Sequence, residues 1–107
     1  MPRALFTYSV VDREPGAAIE VMGLDHDMVT FFTEVVGMNG RQIVHEWLYQ
    51  DQLQFRMRFD IGGDSWRVYS SKSIPPSAQG VWRVRVLDDQ GRQLHESTLK
   101  VPGADEL

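Results

Sequence analysis

Apolar and polar residues alternate with a period of two in this chain, and that pattern constrains its fold more than any other feature. Ser65-Trp66-Arg67-Val68-Tyr69-Ser70-Ser71-Lys72 and Gly80-Val81-Trp82-Arg83-Val84-Arg85-Val86 both carry it, each around a tryptophan. Over residues 53–61 it is unbroken: Leu53, Phe55, Met57, Phe59 and Ile61 share one parity, and Gln54, Arg56, Arg58 and Asp60 share the other. A helix would scatter those five apolar residues around its circumference, whereas a half-buried strand puts them on one face. Further strands are expected over residues 4–11, 17–22, 28–36, 43–49 and 92–101. The stretch 28–36 is dense in β-branched and aromatic residues, which suits the middle of a sheet. In the last stretch the parity breaks between Leu94 and Leu99, which predicts a bulge.

Turn chemistry separates these segments. Asp12-Arg13-Glu14-Pro15-Gly16, Gly37-Met38-Asn39-Gly40 and Asp88-Asp89-Gln90-Gly91 are turn signals, and the two glycines of the second supply positive φ. Pro75-Pro76 forbids ladder bonding, so residues 73–79 read as an irregular crossing. Gly62-Gly63-Asp64-Ser65 reads as a four-residue hairpin loop that sets Asp60 opposite Arg67 and Ile61 opposite Trp66, so that opposite charges rather than two arginines face each other. About seven short strands with frequent turns predict an all-β, immunoglobulin-like antiparallel β-sandwich, with a small β-barrel as the alternative. Residues 3–101 form a single domain in this reading, and residues 102–107 a flexible C-terminal tail.

Composition narrows the function classes. A chain of 107 residues with three Trp, three Tyr and five Phe has enough aromatic surface for one core without staples. It has no cysteine, so neither a disulfide nor a thiol takes part. No run approaches the roughly 18 apolar residues of a membrane span, and Met1-Pro2-Arg3-Ala4-Leu5-Phe6 lacks the apolar stretch of a signal peptide. A net charge of −4 is the wrong sign for general nucleic-acid affinity. The charge is uneven: residues 1–40 carry two arginines against six acids, and residues 41–100 carry nine basic groups against seven acids.

The arginines of the middle region give the first candidate site. Arg56, Arg58, Arg67, Arg83 and Arg85 all fall on the parity opposite the apolar residues, with Tyr69 among them and Lys72 at the edge. On neighbouring strands they would form one basic patch on an outer sheet face. Guanidinium groups bind carboxylate and phosphate bidentately, so the expected partner is an anionic glycan, a lipid headgroup or an acidic protein. The bland alternative is a solvated face whose arginine stems cover β-surface. A second candidate is an end-of-sandwich pocket lined by Glu34, His45, Ser71 and Lys72, in which the lysine beside the serine serves as a base if burial lowers its pKa. Against it, no glycine-rich elbow precedes the serine. The bland reading makes Ser70-Ser71-Lys72 strand-end residues and His45 a core-edge histidine that bonds Glu34 across strands. Asp25-His26-Asp27 lacks the spacing of a calcium loop or a zinc site and reads as a solvated turn. Trp47, Trp66 and Trp82 share faces with Ile43, Val68, Val84 and Val86 and belong to the core, whereas Phe32, Tyr69 and Leu87 sit on the other parity and are candidates for an exposed apolar spot. No metal or cofactor is expected. The function that follows is a non-catalytic binding or interaction module. Its alternatives are a small enzyme using the pocket, and a structural domain that packs against a neighbour or pairs its short first or last strand with a second copy.

Four clusters together carry a resemblance: Phe32-Thr33-Glu34, His45-x-Trp47, Trp66-Arg67-Val68-x-Ser70-Ser71-Lys72 and Gly80-x-Trp82-Arg83-Val84. With the 88–94 turn after them, the chain resembles the bacterial domain-of-unknown-function family 2914 from about Arg3 to Val101. The resemblance implies no particular activity. It implies an accessory module at the C-terminal end of a larger bacterial protein, periplasmic or tethered to a membrane through a span upstream.

Overall fold

Strand pairing turns these alternating stretches into two main layers. The computed structural model describes residues 2–103 except Leu24 and Pro76. Its strands are β1 (Arg3–Thr7), β2 (Val10–Val11), β3 (Glu14–Pro15), β4 (Met28–Val36), β5 (Gln42–Tyr49), β6 (Gln52–Asp60), β7 (Ser65–Ser73), β8 (Gly80–Asp88) and β9 (Gln93–Val101). They form three antiparallel sheets in the orders β1-β4-β7, β2-β3 and β6-β5-β8-β9. None closes on itself, so the fold is a β-sandwich and the barrel alternative does not hold.

The core lies between the three-stranded and four-stranded sheets. From the first come Phe6, Val29, Phe31, Val35 and Val68; from the second come Ile43, Trp47, Trp82, Val84, Val86 and Leu99. The expected parity of the tryptophans holds: Trp47 and Trp82 are buried, and Trp66 is half-buried against the core. β4 takes the centre of its sheet, as its composition requires.

Four sequence expectations need correction. The stretch 4–11 breaks after Thr7, and Asp12 and Arg13 at φ 52° and 61° make a two-residue turn between β2 and β3. Residues 17–22 form no strand; they touch the sheets through isolated bridges of Ile19 to Phe6 and of Val21 to Lys100. β6 and β7 do not form a hairpin. β6 pairs with β5 and β7 with β4, so Gly62-Gly63-Asp64 carries the chain from one sheet to the other. Arg67 therefore faces Glu34 and not Asp60. Neither Gly62 nor Gly63 has positive φ; a Cβ at Gly62 would lie 3.1 Å from the Trp66 ring. These glycines let an indole lie on the crossing rather than shape a tight turn. Fourth, the last strand is not short, since β9 has nine residues, and the edge strands β1 and β9 are not free along their whole length: Ile19 N donates to Phe6 O at 2.9 Å and Met22 N to Lys100 O at 2.8 Å.

The expected bulge sits at the start of β9, where His95 pairs with Val86 and Gln93 with Leu87, leaving Leu94 extra. Of the expected tail, residues 104–107 lie outside the described residues, and Pro102 and Gly103 are buried.

Candidate functional site

β5 is buried on both sides, and its outward residues Val44, Glu46 and Leu48 form the midline of the outer face of the four-stranded sheet. Cross-strand register fixes their neighbours. Glu46 stands opposite Arg56 on β6 and Arg85 on β8. Arg56 Nε donates to Glu46 Oε2 at 2.9 Å, with Arg56 Nη2 on the same oxygen, and Arg85 Nη2 donates to Oε1 at 2.8 Å. Glu46 is only 2% exposed. At this depth two guanidiniums stand in for the water that the carboxylate loses on burial. One row along, Arg83 opposite Leu48 pairs with Asp51 and, at 3.5 Å, with Glu96. On the other side, Arg58 stands opposite Val44, which in turn faces Leu87. Arg58 has no ion pair among the described residues, and Arg85 Nε is a buried donor without an acceptor among them.

Beside Arg56 and Arg58 lies a shallow groove of about 280 Å³, whose far wall is Leu87 and the Asp88-to-Gly91 turn. Asp88 and Asp89 there are already engaged. Asp88 accepts from the backbone N–H groups of Arg92 and Gln90 and from Arg92 Nε, which together hold its carboxyl below the usual range. Arg41 does the same for Asp89 through a 2.8 Å bond. Val81 and Leu53, each about half exposed, put apolar surface at the end of this face; the extra residue Gln54 turns Leu53 outward beside Leu48, off the face it was expected to share with Phe55.

The single five-arginine patch does not form. Arg56, Arg58, Arg83 and Arg85 share one face, but Arg67 and Tyr69 lie on the outer face of the other sheet, because β7 pairs with β4. There Arg67 belongs to a clasp. Its Nε donates to Glu34 Oε2 at 3.3 Å and its Nη1 to the Arg13 carbonyl at 3.3 Å. Arg3 completes the clasp with Nε on Glu34 Oε1 and Nη1 on Glu14 Oε1, both at 2.9 Å. The bonds from Arg3 hold the Glu14 and Glu34 carboxyls below their ordinary range. The clasp ties the β2–β3 turn to the sheet, with the Arg3 guanidinium 5.1 Å from the centre of the Phe32 ring. Phe32 is 0% exposed, which removes it from the expected exposed spot; Tyr69 remains 46% exposed and Leu87 is half-buried.

Glu34, His45, Ser71 and Lys72 do not converge. Glu34 lies in the outer clasp, and Ser71 bonds Thr30 Oγ1 at 2.7 Å on the same outer face. Lys72 points to the inner side at the edge, 5.8 Å from the Trp82 ring centre. His45 is 0% exposed, so it is a core residue rather than a core-edge one, and it does not bond Glu34. Its Nε2 lies 3.0 Å from Thr33 Oγ1 and its Nδ1 2.8 Å from Ser70 Oγ, which also accepts from Trp47 Nε1 at 2.9 Å. Thr33 and Ser70 come from one sheet, His45 and Trp47 from the other, so this network ties the layers together across the core. Burial pushes the imidazole down to about 3.

At one end of the sandwich a second hollow of about 280 Å³ is lined by Met22, His26, Asp27, Ile74 and Val101. His26 is stacked on Tyr8 with ring centres 3.5 Å apart, and Tyr8 Oη accepts from Gly23 N at 2.8 Å. Leu24, within the expected polar loop, lies outside the described residues.

Glu46 is the residue that sequence reasoning passed over. The available signal was its parity: it alternates with His45 and Trp47, so it had to face outward among the arginines of the neighbouring strands. The model of the family described as Protein of unknown function (DUF2914) matches residues 40–101, which include the whole of the four-stranded sheet and β7. No curated protein matches the chain.

Proposed function

Because the chain belongs to the DUF2914 family, whose description assigns no activity, we propose its function from its own residues: a non-catalytic recognition module that binds an acidic protein through Arg56, Arg58, Arg83 and Arg85. We read the order β1-β4-β7 against β6-β5-β8-β9 as an immunoglobulin-like arrangement, a scaffold that presents flat sheet faces to partners.

The observation that carries this reading is the row of four arginines around one buried carboxylate. Glu46 engages Arg56 and Arg85 and holds both in place, while Arg58 has no ion pair among the described residues. Asp51 and Glu96, which share Arg83, are more exposed than Glu46 and can yield to a partner's carboxylate. The apolar surface of Leu53 and Val81 beside the arginines favours a protein over a glycan or a headgroup, since a protein can offer both acidic and apolar groups.

Titration of the domain with an oligoglutamate peptide at low and high ionic strength tests the proposal. Binding should weaken as salt rises, because exposed charges are screened within about 8 Å at physiological ionic strength. Arg58→Glu and Arg83→Glu should each reduce it, while Arg13→Glu, on the opposite layer, should not. Salt-independent binding, or equal effects of all three substitutions, would rule out this face.

A further inference from the structure

We infer that the partner binds as an added strand on the free edge of β6, through an extended segment in which acidic and apolar residues alternate. The inference rests on the arginine face proposed above and adds to it a backbone mode and a sequence pattern.

The two flanks of the sandwich differ. On one, residues 19–22 bond Phe6 of β1 and Lys100 of β9, so the chain's own backbone occupies part of each of those edges. On the other, β6 pairs only with β5, and no loop backbone among the described residues bonds its outer side. An uncovered edge presents a row of N–H and C=O groups that another chain can pair with.

Side chains on β6 say what that chain should look like. The outward row holds Arg56 and Arg58, and the inward row holds Phe55, Met57 and Phe59. Proteins that guard an edge against pairing often turn a charge inward, and β7 does so with Lys72. β6 has no inward charge. Its inward Met57 is 40% exposed, unusually open for a side chain on the core side. A partner residue opposite Met57 would cover it, and carboxylates on the alternate positions would meet Arg56 and Arg58, the second of which has no ion pair among the described residues. The register shift between Trp47 and Leu48 leaves Gln54 bulged, so the regular stretch runs from Phe55 to Asp60 and fits a partner of about six residues, roughly 20 Å long.

The test uses isotope-labelled protein and a synthetic peptide of alternating glutamate and valine, alongside a version N-methylated at every second residue, which removes the donors that would face β6. The unmodified peptide should bind and slow the exchange of β6 amides that point away from β5. N-methylation should weaken binding by about tenfold or more, from the loss of two or more backbone bonds. Arg58→Glu should weaken it by a few-fold to about tenfold. If N-methylation has no effect while Arg58→Glu still weakens binding, strand addition is overturned and the arginine face stands. If neither change matters, or the unmodified peptide does not bind, both readings fall. A dimer in sedimentation that the peptide does not dissociate would give the edge to a second copy and overturn the inference.

Discussion

His45 shows what one buried side chain can dictate. It is held neutral between Thr33 and Ser70, and burial pushes its titration down to about 3. An unfolded histidine titrates near 6.5. Above that value neither state binds the proton, and the native state keeps its full stability. As pH falls from about 6.5 toward about 3, the unfolded chain takes up a proton that the folded one refuses, so stability drops by about 1.4 kcal/mol per pH unit. The clasp carboxyls Glu14 and Glu34 act in the same direction but only below about pH 4.5, because they are depressed from an ordinary carboxylate value. Urea unfolding between about pH 6.5 and 4.5 therefore isolates His45. His45→Gln should flatten the slope in that window; an unchanged slope would put the acid sensitivity elsewhere. Ser70→Ala leaves Trp47 Nε1 and His45 Nδ1 facing a methyl group and should cost about 1–3 kcal/mol at neutral pH, whereas Ser71→Ala, which loses one less buried bond, should cost about 0.5–1.5 kcal/mol. Equal losses would mean that the core network contributes no more than a surface contact.

Individual strands were the most legible level of this fold. Period-two alternation located β5 to β9 to within a residue or two, because a sheet that buries one face enforces that period, and the density of β-branched and aromatic residues located β4. Alternation says which way a side chain faces but not which strand lies alongside. For that reason the pattern turns the arginines away from the tryptophans, as the structure does, but carries no sign that Arg67 belongs to the other sheet or that β6 pairs with β5 rather than β7. The turn between β5 and β6 left almost no trace, since Gln50 and Asp51 take φ of 51° and 66° without a glycine. Such turns prefer asparagine and glycine, because other side chains crowd the backbone in the left-handed region. Gln50→Asn should raise the unfolding free energy by about 0.5–1 kcal/mol and leave Asp51 in place for Arg83. A thermal scan that shows no gain would indicate that the native hairpin relieves its turn through other contacts. The polar network was equally silent in sequence. Thr33, His45 and Ser70 are far apart along the chain, and only the packing of one sheet on the other brings them within bonding distance.

For the molecule as a whole, the asymmetry of the two flanks matters most. Residues 19–22 belong to no strand, yet Ile19 and Met22 donate to backbone carbonyls of β1 and β9, and Lys100 N donates back to Glu20 at 3.0 Å. If that cover is part of the fold, its amides should open only when the flank opens, and native-state hydrogen exchange should show Ile19, Met22 and Lys100 protected far above loop rates. Along the opposite flank, the β6 amides that do not face β5 have no backbone acceptor among the described residues and should exchange fast, as should the unbonded outer side of β9 before Lys100. Protection that decreases from β8 through β5 to the outer side of β6, with an island at residues 19–22, is the expected map. A map in which residues 19–22 exchange as freely as the outer side of β6 would mean that both flanks are open. The contrast that singles out β6 as the receptive edge would then be lost, even though every arginine on its outer face stayed where it is.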